Sequence, residues 1–562
     1  MRRPLVLAGV AVAFAAADTY VVVLALPDMM LTVGLSVDEL QRAAPIISGF
    51  LLGYVAMLPL IGRVADLRGR VPVLTASLLV FALGSLVTAL SADLPTMVTG
   101  RFLQGVGGGG LVPATLAMVA DLYPVDRRAV PLGVVSGVQE LGSVLGPLYG
   151  ALVLAFTDWE VIFWVNLAAG LLLAAALAGR GDRRAPRERP DPVGLLLLVG
   201  CLAGLVLVLV RPESLTSDLV LGWPYVPLVG SSLWLAPLSL VTILLAGLLV
   251  VRCLLAARPL VDVRGWARTF AAADLPGAGL LALVLGGVIL AFATADPAVQ
   301  VFSPAGDWLL GGAAVLALLL GRHLRRSRNP LVPRGALRRT PAWGSLLASL
   351  FVGAALIAAL VDIPVYARLT SYPDSQLGAA LVLVRLLVAL PVGAVAGGYL
   401  ARRFPAGAVC LAGMLAATAG FAWMSRWGLH SLESPLATVP LVLAGLGFGL
   451  ALAPVNAALL ATTVEAVHGL ASALVVVARM VGMLVGISVL TTIGLHRYFA
   501  AQAALPAIAD VCGGGGACAR YTRLVDLAAL TQVHTIFLGA ALCALVAGLL
   551  AAVLFRGAPT RS

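Results

Sequence analysis

About sixteen apolar runs of membrane-crossing length follow one another along this chain, and they leave little choice of fold. A hydrocarbon core about 30 Å thick takes roughly twenty residues of helix at 1.5 Å each. Runs of that order, bounded by charges or by Gly, Pro and Asp clusters, lie near 5-27, 44-62, 72-92, 95-120, 131-156, 161-178, 193-210, 230-251, 275-295, 307-321, 343-366, 376-400, 406-425, 437-460, 470-498 and 530-555. Only 11% of the residues are charged and 61% are hydrophobic, against about 25% charged in a soluble domain. Water is therefore not the solvent for most of the chain, and the expected fold class is all-α, a polytopic membrane protein. Met1, Arg2 and Arg3 ahead of an apolar stretch would suit a signal peptide. No soluble domain follows them and many more apolar runs do, so the first run is read as a retained helix.

The loops orient the spans, because cytoplasmic loops carry an excess of basic residues. Arg63, Arg68 and Arg70; Arg127 and Arg128; the 180–189 cluster; Arg258, Arg264 and Arg268; the arginines of 322–339; and Arg402 and Arg403 all fall on one side. The other side carries Asp38, Glu39, Glu213, Asp218, Asp296, Asp374, Glu433 and Asp510. This alternation expects both termini in the cytoplasm and the chain in a bacterial cell (cytoplasmic) membrane. The net charge of +11 is then a topology signal. Its arginines sit in short clusters rather than on one face, which argues against nucleic acid as a partner. Trp159, Trp223, Trp234, Trp308, Trp343 and Trp427 fall near span ends, where an indole favours the interface.

In the middle of the chain, Asp191-Pro-Val-Gly opens an apolar pair that ends at Arg258-Pro-Leu-Val-Asp-Val-Arg264. Asp274-Leu-Pro-Gly opens another that ends at Asn329-Pro-Leu-Val-Pro-Arg334. Chance likeness in low-complexity apolar sequence and a duplicated helix pair are both open readings. The expected organisation is an N-terminal six-helix bundle at 1-180, inserted linker helices at 181-340 and a C-terminal six-helix bundle at 341-562. Were one inserted pair only partly embedded, the count would fall to fourteen with both halves unchanged.

Three stretches carry mechanism. Gly62-Arg63-Val64-Ala65-Asp66-Leu67-Arg68-Gly69-Arg70 joins the second and third spans. Its glycines permit a tight turn, while Asp66, Arg68 and Arg70 can bridge neighbouring helix ends and hold one conformation closed. Alone, the same loop would be solvated surface. In the fourth span Arg101 precedes Gln104-Gly105 and Gly107 to Gly110. In the fifth, Gly142, Gly146, Pro147 and Gly150 stand at spacings that let backbones approach closely, with a kink at Pro147. Tight packing and a moving hinge are equally good readings of that row.

Together these stretches resemble the major facilitator superfamily: its signature loop at 62-70, its fourth-helix motif at Arg101 and Gln104-Gly105, and its antiporter motif at Gly142 to Gly150. The C-terminal half shows a weaker echo of the loop at Gly393 to Arg403. The resemblance implies two six-helix bundles rocking around a central site, driven by an ion gradient. The first helix, from Asp18 to Pro27, looks like the fourteen-span drug:proton antiporters, but has Tyr20 and Val23 where their pattern is polar. A closer likeness is to the mycobacterial triacylglyceride exporters that work with a periplasmic lipid-carrying lipoprotein. It rests on Asp18 to Val23, Gln139 to Tyr149, His468-Gly469 and Val475 to Met480. By that resemblance Asp18, Glu140 and Arg479 are functional charges, membrane lipids and protons are partners, and the chain acts as a monomer.

The residues themselves point the same way. An ionisable group at mid-depth costs a few kcal/mol and needs a partner or an aqueous cavity. Asp18, Glu140 and Arg479 all reach the central third of their spans. A partner that comes and goes makes such a carboxylate a proton switch; a static salt bridge is the plainer reading. Arg385 also sits inside a span and Asp362 near the outer end of one, while His468 and Glu465 read as solvated loop. Cys512 and Cys518 flank a glycine run in an external segment near 498-530. An oxidising outer face would close them into a disulfide; otherwise they are free thiols. The other four cysteines lie in or beside apolar runs. No GxxxxGK[ST] and no HExxH occurs, so neither an ATP-driven pump, a metal site nor a cofactor is expected. The expected function is a proton-coupled secondary transporter exporting a lipophilic cargo such as triacylglyceride, with multidrug:proton antiport as the alternative.

Overall fold

The computed structural model describes residues 2–35, 40–178, 191–216, 222–229, 232–293, 303–373, 375–512 and 518–558. Among these residues no strand occurs. The helices in chain order are α1 (Arg2–Thr32), α2 (Leu40–Arg68), α3 (Arg70–Ala89), α4 (Leu94–Leu122), α5 (Ala129–Leu154), α6 (Glu160–Ala178), α7 (Pro192–Val210), α8 (Glu213–Thr216), α9 (Pro237–Leu255), α10 (Val263–Ala272), α11 (Leu275–Ala293), α12 (Gly306–Arg326), α13 (Thr340–Thr370), α14 (Gln376–Arg403), α15 (Ala406–Met424), α16 (Thr438–Thr462), α17 (His468–Ala503), α18 (Ile508–Cys512) and α19 (Ala519–Leu554). Fourteen of them are long and apolar enough to cross a membrane. Helices α1 and α5, with 31 and 26 residues, have the length as well. The sequence sets these ends by ordinary means: Asp93 caps α4 by accepting the Thr96 N–H, Ser375 caps α14, and Pro occupies the first turn of α7, α9 and α13.

Two six-helix bundles repeat one packing plan. In the first, α1 packs on α5, α2 on α4, and α3 on α4 and α6. In the second, α13 packs on α17, α14 on α16, and α15 on α16 and α19. Four inserted helices of spanning length, α7, α9, α11 and α12, lie outside them, with the shorter α8 and α10 between. In α7, α9 and α12 only 22%, 17% and 6% of the apolar window is buried, whereas α4 buries 83%, so the inserted helices are peripheral. Helix α11 is the exception in position, since it touches both α2 and α17.

The two inserted pairs close in the same way. Asp191, just before α7, pairs with Arg252 near the end of α9 through two contacts of 3.0 Å. Asp274, just before α11, meets His323 near the end of α12 at 2.7 Å and accepts the Leu331 N–H at 2.8 Å. Asp274 has φ +60°, a left-handed conformation that Asp tolerates.

Two expectations about tryptophan need correction. Trp159 and Trp427 are 3% and 4% exposed. Trp159 is held by a hydrogen bond to Thr32, and Trp427 packs on Tyr366 and Phe537, so both are core rather than interfacial. Trp223, Trp234, Trp308 and Trp343 are exposed. The 180–189 cluster and Asp38, Glu39, Asp218, Asp296 and Asp374 lie outside the described residues.

Candidate functional site

Two buried ion pairs flank the centre of the molecule. The first lies within one bundle. Asp18 of α1 accepts a hydrogen bond from Arg101 of α4 at 2.9 Å, and its other carboxylate oxygen takes the Asn166 amide of α6. Arg101 also donates to Gln104 at 2.8 Å, whose amide donates to Ser85 of α3 at 2.9 Å. The Asp18 and Arg101 side chains are 0% and 1% exposed, so each charge depends on the other and on these hydrogen bonds. The Arg101 Nε carries no hydrogen bond. The guanidinium instead lies 4.5 Å over the Phe50 ring, an aromatic face that attracts a desolvated cation.

The second pair joins the bundles. Arg479 of α17 donates to Glu140 of α5 at 3.3 Å, and both side chains are about nine-tenths buried. They line a central cavity with Thr19, Phe50, Tyr54 and Gln139. Its volume is about 30 Å³, room for a water but far short of the 300–1,000 Å³ of a ligand pocket. Phe50 serves both sites, since one side of its ring covers Arg101 and the residue also lines the cavity.

At the arginine-rich end the bundles are clamped together. Asp66 of α2 accepts the backbone N–H groups of Gly469 and Leu470 at 2.8 and 3.0 Å. These amides belong to the first turn of α17, where they have no helical partner and where the helix dipole favours an anion. Arg70 pairs with Asp66 and, at 3.0 Å, with Asp121 of α4. Arg63 donates to the Ala466 carbonyl at 3.0 Å. Gly62 makes this approach possible, because a Cβ there would stand 2.5 Å from the Gly469 carbonyl oxygen. Gly69 turns the chain at φ +97°, a conformation that glycine adopts without strain. Arg68 leaves the clamp for an inserted helix, pairing with Asp262 at 2.7 Å.

Within the first bundle, Gly142, Gly146 and Gly150 of α5 each rest against α1, at Ala13, Ala17 and Val21. The Pro147 side chain lies outside the described residues. Cys512 and Cys518 are joined as a disulfide. Among the described residues no group of three or more His, Cys, Asp or Glu side chains is placed to hold a metal ion.

The Major Facilitator Superfamily profile matches residues 8–324. The chain is 35% identical over 576 residues to a triacylglyceride transporter of Mycobacterium tuberculosis, covering 97% of this chain and 95% of that protein. It is 36% identical over 506 residues to one from Mycobacteroides abscessus, covering 87% and 82%. The chain belongs to the major facilitator superfamily. It is a multi-pass membrane transporter. Among solved structures it resembles the human organic anion transporter MFSD10 (TM-score 0.53, 16% identity, 98% of this chain and 99% of that one). It also resembles the proton:xylose symporter XylE (TM-score 0.51, 12% identity, 97% and 94%). At these identities the likeness is one of fold.

Within that superfamily fold, several residues of the site escaped the sequence reading. Asn166, Phe50 and Ser85 complete the Asp18–Arg101 cluster, yet none stands out in an apolar helix. Gly353 on α13 and Gly482 on α17 bring those helices together at Arg479 and Leu350, as the glycines of α5 do on α1. His468 is not solvated loop: it is 1% exposed, with its ring 3.3 Å from the Thr463 carbonyl. Glu465 is exposed. Arg385 is a member of neither ion pair and donates to Thr438 at 3.2 Å.

Proposed function

We propose that this chain is a proton-coupled secondary transporter that exports a lipophilic molecule, a neutral lipid such as triacylglyceride, across the bacterial cytoplasmic membrane by alternating access. The observation that carries the proposal is the Glu140–Arg479 pair, which ties one bundle to the other across the central cavity. Protonating Glu140 removes the negative half of that tie, so that the Asp66 clamp is what still holds the bundles in this conformer. Protonating Asp18 likewise removes the charge that pairs Arg101, loosening α1 from α4 on the other side of Phe50, while the carboxyl can still accept the Asn166 amide. With the arginine-rich end in the cytoplasm, as basic loops favour, both termini are cytoplasmic and this conformer is closed to that side by Asp66 and its partners.

The cargo assignment is supported by the relatives named as triacylglyceride transporters, matched over most of both chains. Helices α17 and α19, of 36 residues each, are about 54 Å long and outreach a core about 30 Å thick. Their outer ends, with the disulfide between them, are suited to shield a lipid leaving the bilayer and to meet an extracytoplasmic lipid-carrying lipoprotein. The chain works as a monomer. Multidrug:proton antiport is the second reading, favoured by Met480, Met483 and Phe50 in the cavity wall, since methionine surfaces adapt to varied ligands.

Proteoliposomes given a fluorescent triacylglyceride or a cationic dye separate the two. Gradient-driven movement of the lipid supports export of neutral lipid, and movement of the dye alone transfers the assignment to antiport of drugs.

A further inference from the structure

The inserted helices carry a surface that rocking of the two bundles does not use. Helix α10 lies between the inserted pairs, at the arginine-rich end. Val263, Trp266 and Phe270 share one face at helical spacing, while Arg264 and Arg268 stand on another and are exposed. Asp262 caps the helix, accepting the Gly265 N–H at 2.9 Å, and takes Arg68 at 2.7 Å. Arg68, helped by that N–H, holds the Asp262 carboxyl below the usual carboxylate range. The Arg68 guanidinium also lies 4.6 Å over Trp266.

Trp266 and Phe270, with ring centroids 6.0 Å apart, roof a crevice in the outer face of the first bundle. Its walls include Met57, Ile61 and Val64 of α2, Val73 and Val80 of α3 and Val106 of α4. The volume is about 110 Å³, close to the roughly 150 Å³ of apolar cavities that stay dry and accept benzene. From Val64 to Met57 the crevice descends about 10 Å along α2, which is hydrocarbon depth beneath an interfacial helix.

We propose that α10 and the crevice beneath it bind one anionic phospholipid, with a short stretch of one acyl chain among the apolar walls and the phosphate on Arg264 and Arg268. Arg68 is committed to Asp262 and Trp266, so the headgroup falls to the two exposed arginines. An amphipathic helix lying in the interface with arginines on its polar face attracts anionic lipid. A zwitterionic lipid offers the same chain without the net charge. The site is independent of which cargo moves and of how transport is driven.

Native mass spectrometry of the delipidated full chain, titrated with phosphatidylglycerol or phosphatidylcholine of matched chains, tests this. Each arginine near the surface favours an anionic lipid about fivefold, so the wild type should prefer phosphatidylglycerol by roughly 30-fold for one bound molecule. Arg264→Gln with Arg268→Gln should bring the two lipids to near parity. Ala76→Phe, which fills the crevice from α3, should weaken binding of both. Equal binding by the wild type, or a preference that survives in the double variant, overturns the proposal.

Discussion

Replacing Asp66 by Asn should shift the molecule away from the conformer closed at its arginine-rich end. Asp66 receives two backbone N–H groups of α17 and the Arg70 guanidinium. The first two bonds cross from one bundle to the other. A hydrogen bond to a charged group is worth about 1.5–3 kcal/mol. Asparagine keeps one acceptor oxygen and turns an NH2 toward the second amide, so at least one cross-bundle bond is lost together with the charge. A loss of about 2–3 kcal/mol in this conformer alone changes its ratio to the alternative by roughly 30- to 150-fold. Spin labels at Leu67 and Val464, which are 42% and 65% exposed at that end, report the separation by pulsed EPR. The variant should gain a longer-distance population. Asp126→Asn is the control, since Asp126 is a loop residue whose ion pair is with its neighbour Arg127. A distance distribution identical in Asp66→Asn and wild type would refute the assignment of Asp66 to the clamp.

Other consequences follow from the same contacts. Glu140→Gln or Arg479→Gln alone strands a buried charge and should lower stability by about 3–5 kcal/mol, with the double variant recovering part of it, as thermal unfolding in detergent would record. Gly142→Ala drives a methyl into the Ala13 backbone and should destabilise by about 1–3 kcal/mol. Gly9→Ala, which meets nothing within 4 Å, should be neutral or slightly stabilising in the same melting experiment. Alkylation of unfolded protein followed by mass spectrometry should modify Cys201, Cys253, Cys410 and Cys543 without reductant, and Cys512 and Cys518 only after reduction.

Span length made the helical architecture legible, because it is a property of one stretch of chain at a time. Asp66 was legible only as one member of the 62-70 loop, which by itself reads equally as solvated surface. Partners were less legible. Asp18 and Arg101 are 83 residues apart, and single charges in apolar runs do not declare which of several opposite charges they meet. Asn166 is an amide of intermediate polarity in a 19-residue apolar helix, and Phe50 is one phenylalanine among 16. His468 reads as solvated loop from its place at the entrance of the Arg479 helix, whereas the α2–α17 clamp buries that turn. Trp159 and Trp427 were misjudged for a related reason: position near a span end does not say whether the ring faces lipid or protein. The glycine contact between α13 and α17 had no proline or motif to mark it, although it matches the visible row on α5.

Proton coupling through Asp18 is tested most directly by substrate-dependent proton movement in proteoliposomes, followed with an internal pH dye for wild type and Asp18→Asn. The account predicts that addition of the lipid cargo moves protons in the wild type and that Asp18→Asn abolishes this movement together with gradient-driven transport. Cargo movement that proceeds unchanged in Asp18→Asn and without a pH gradient would contradict it.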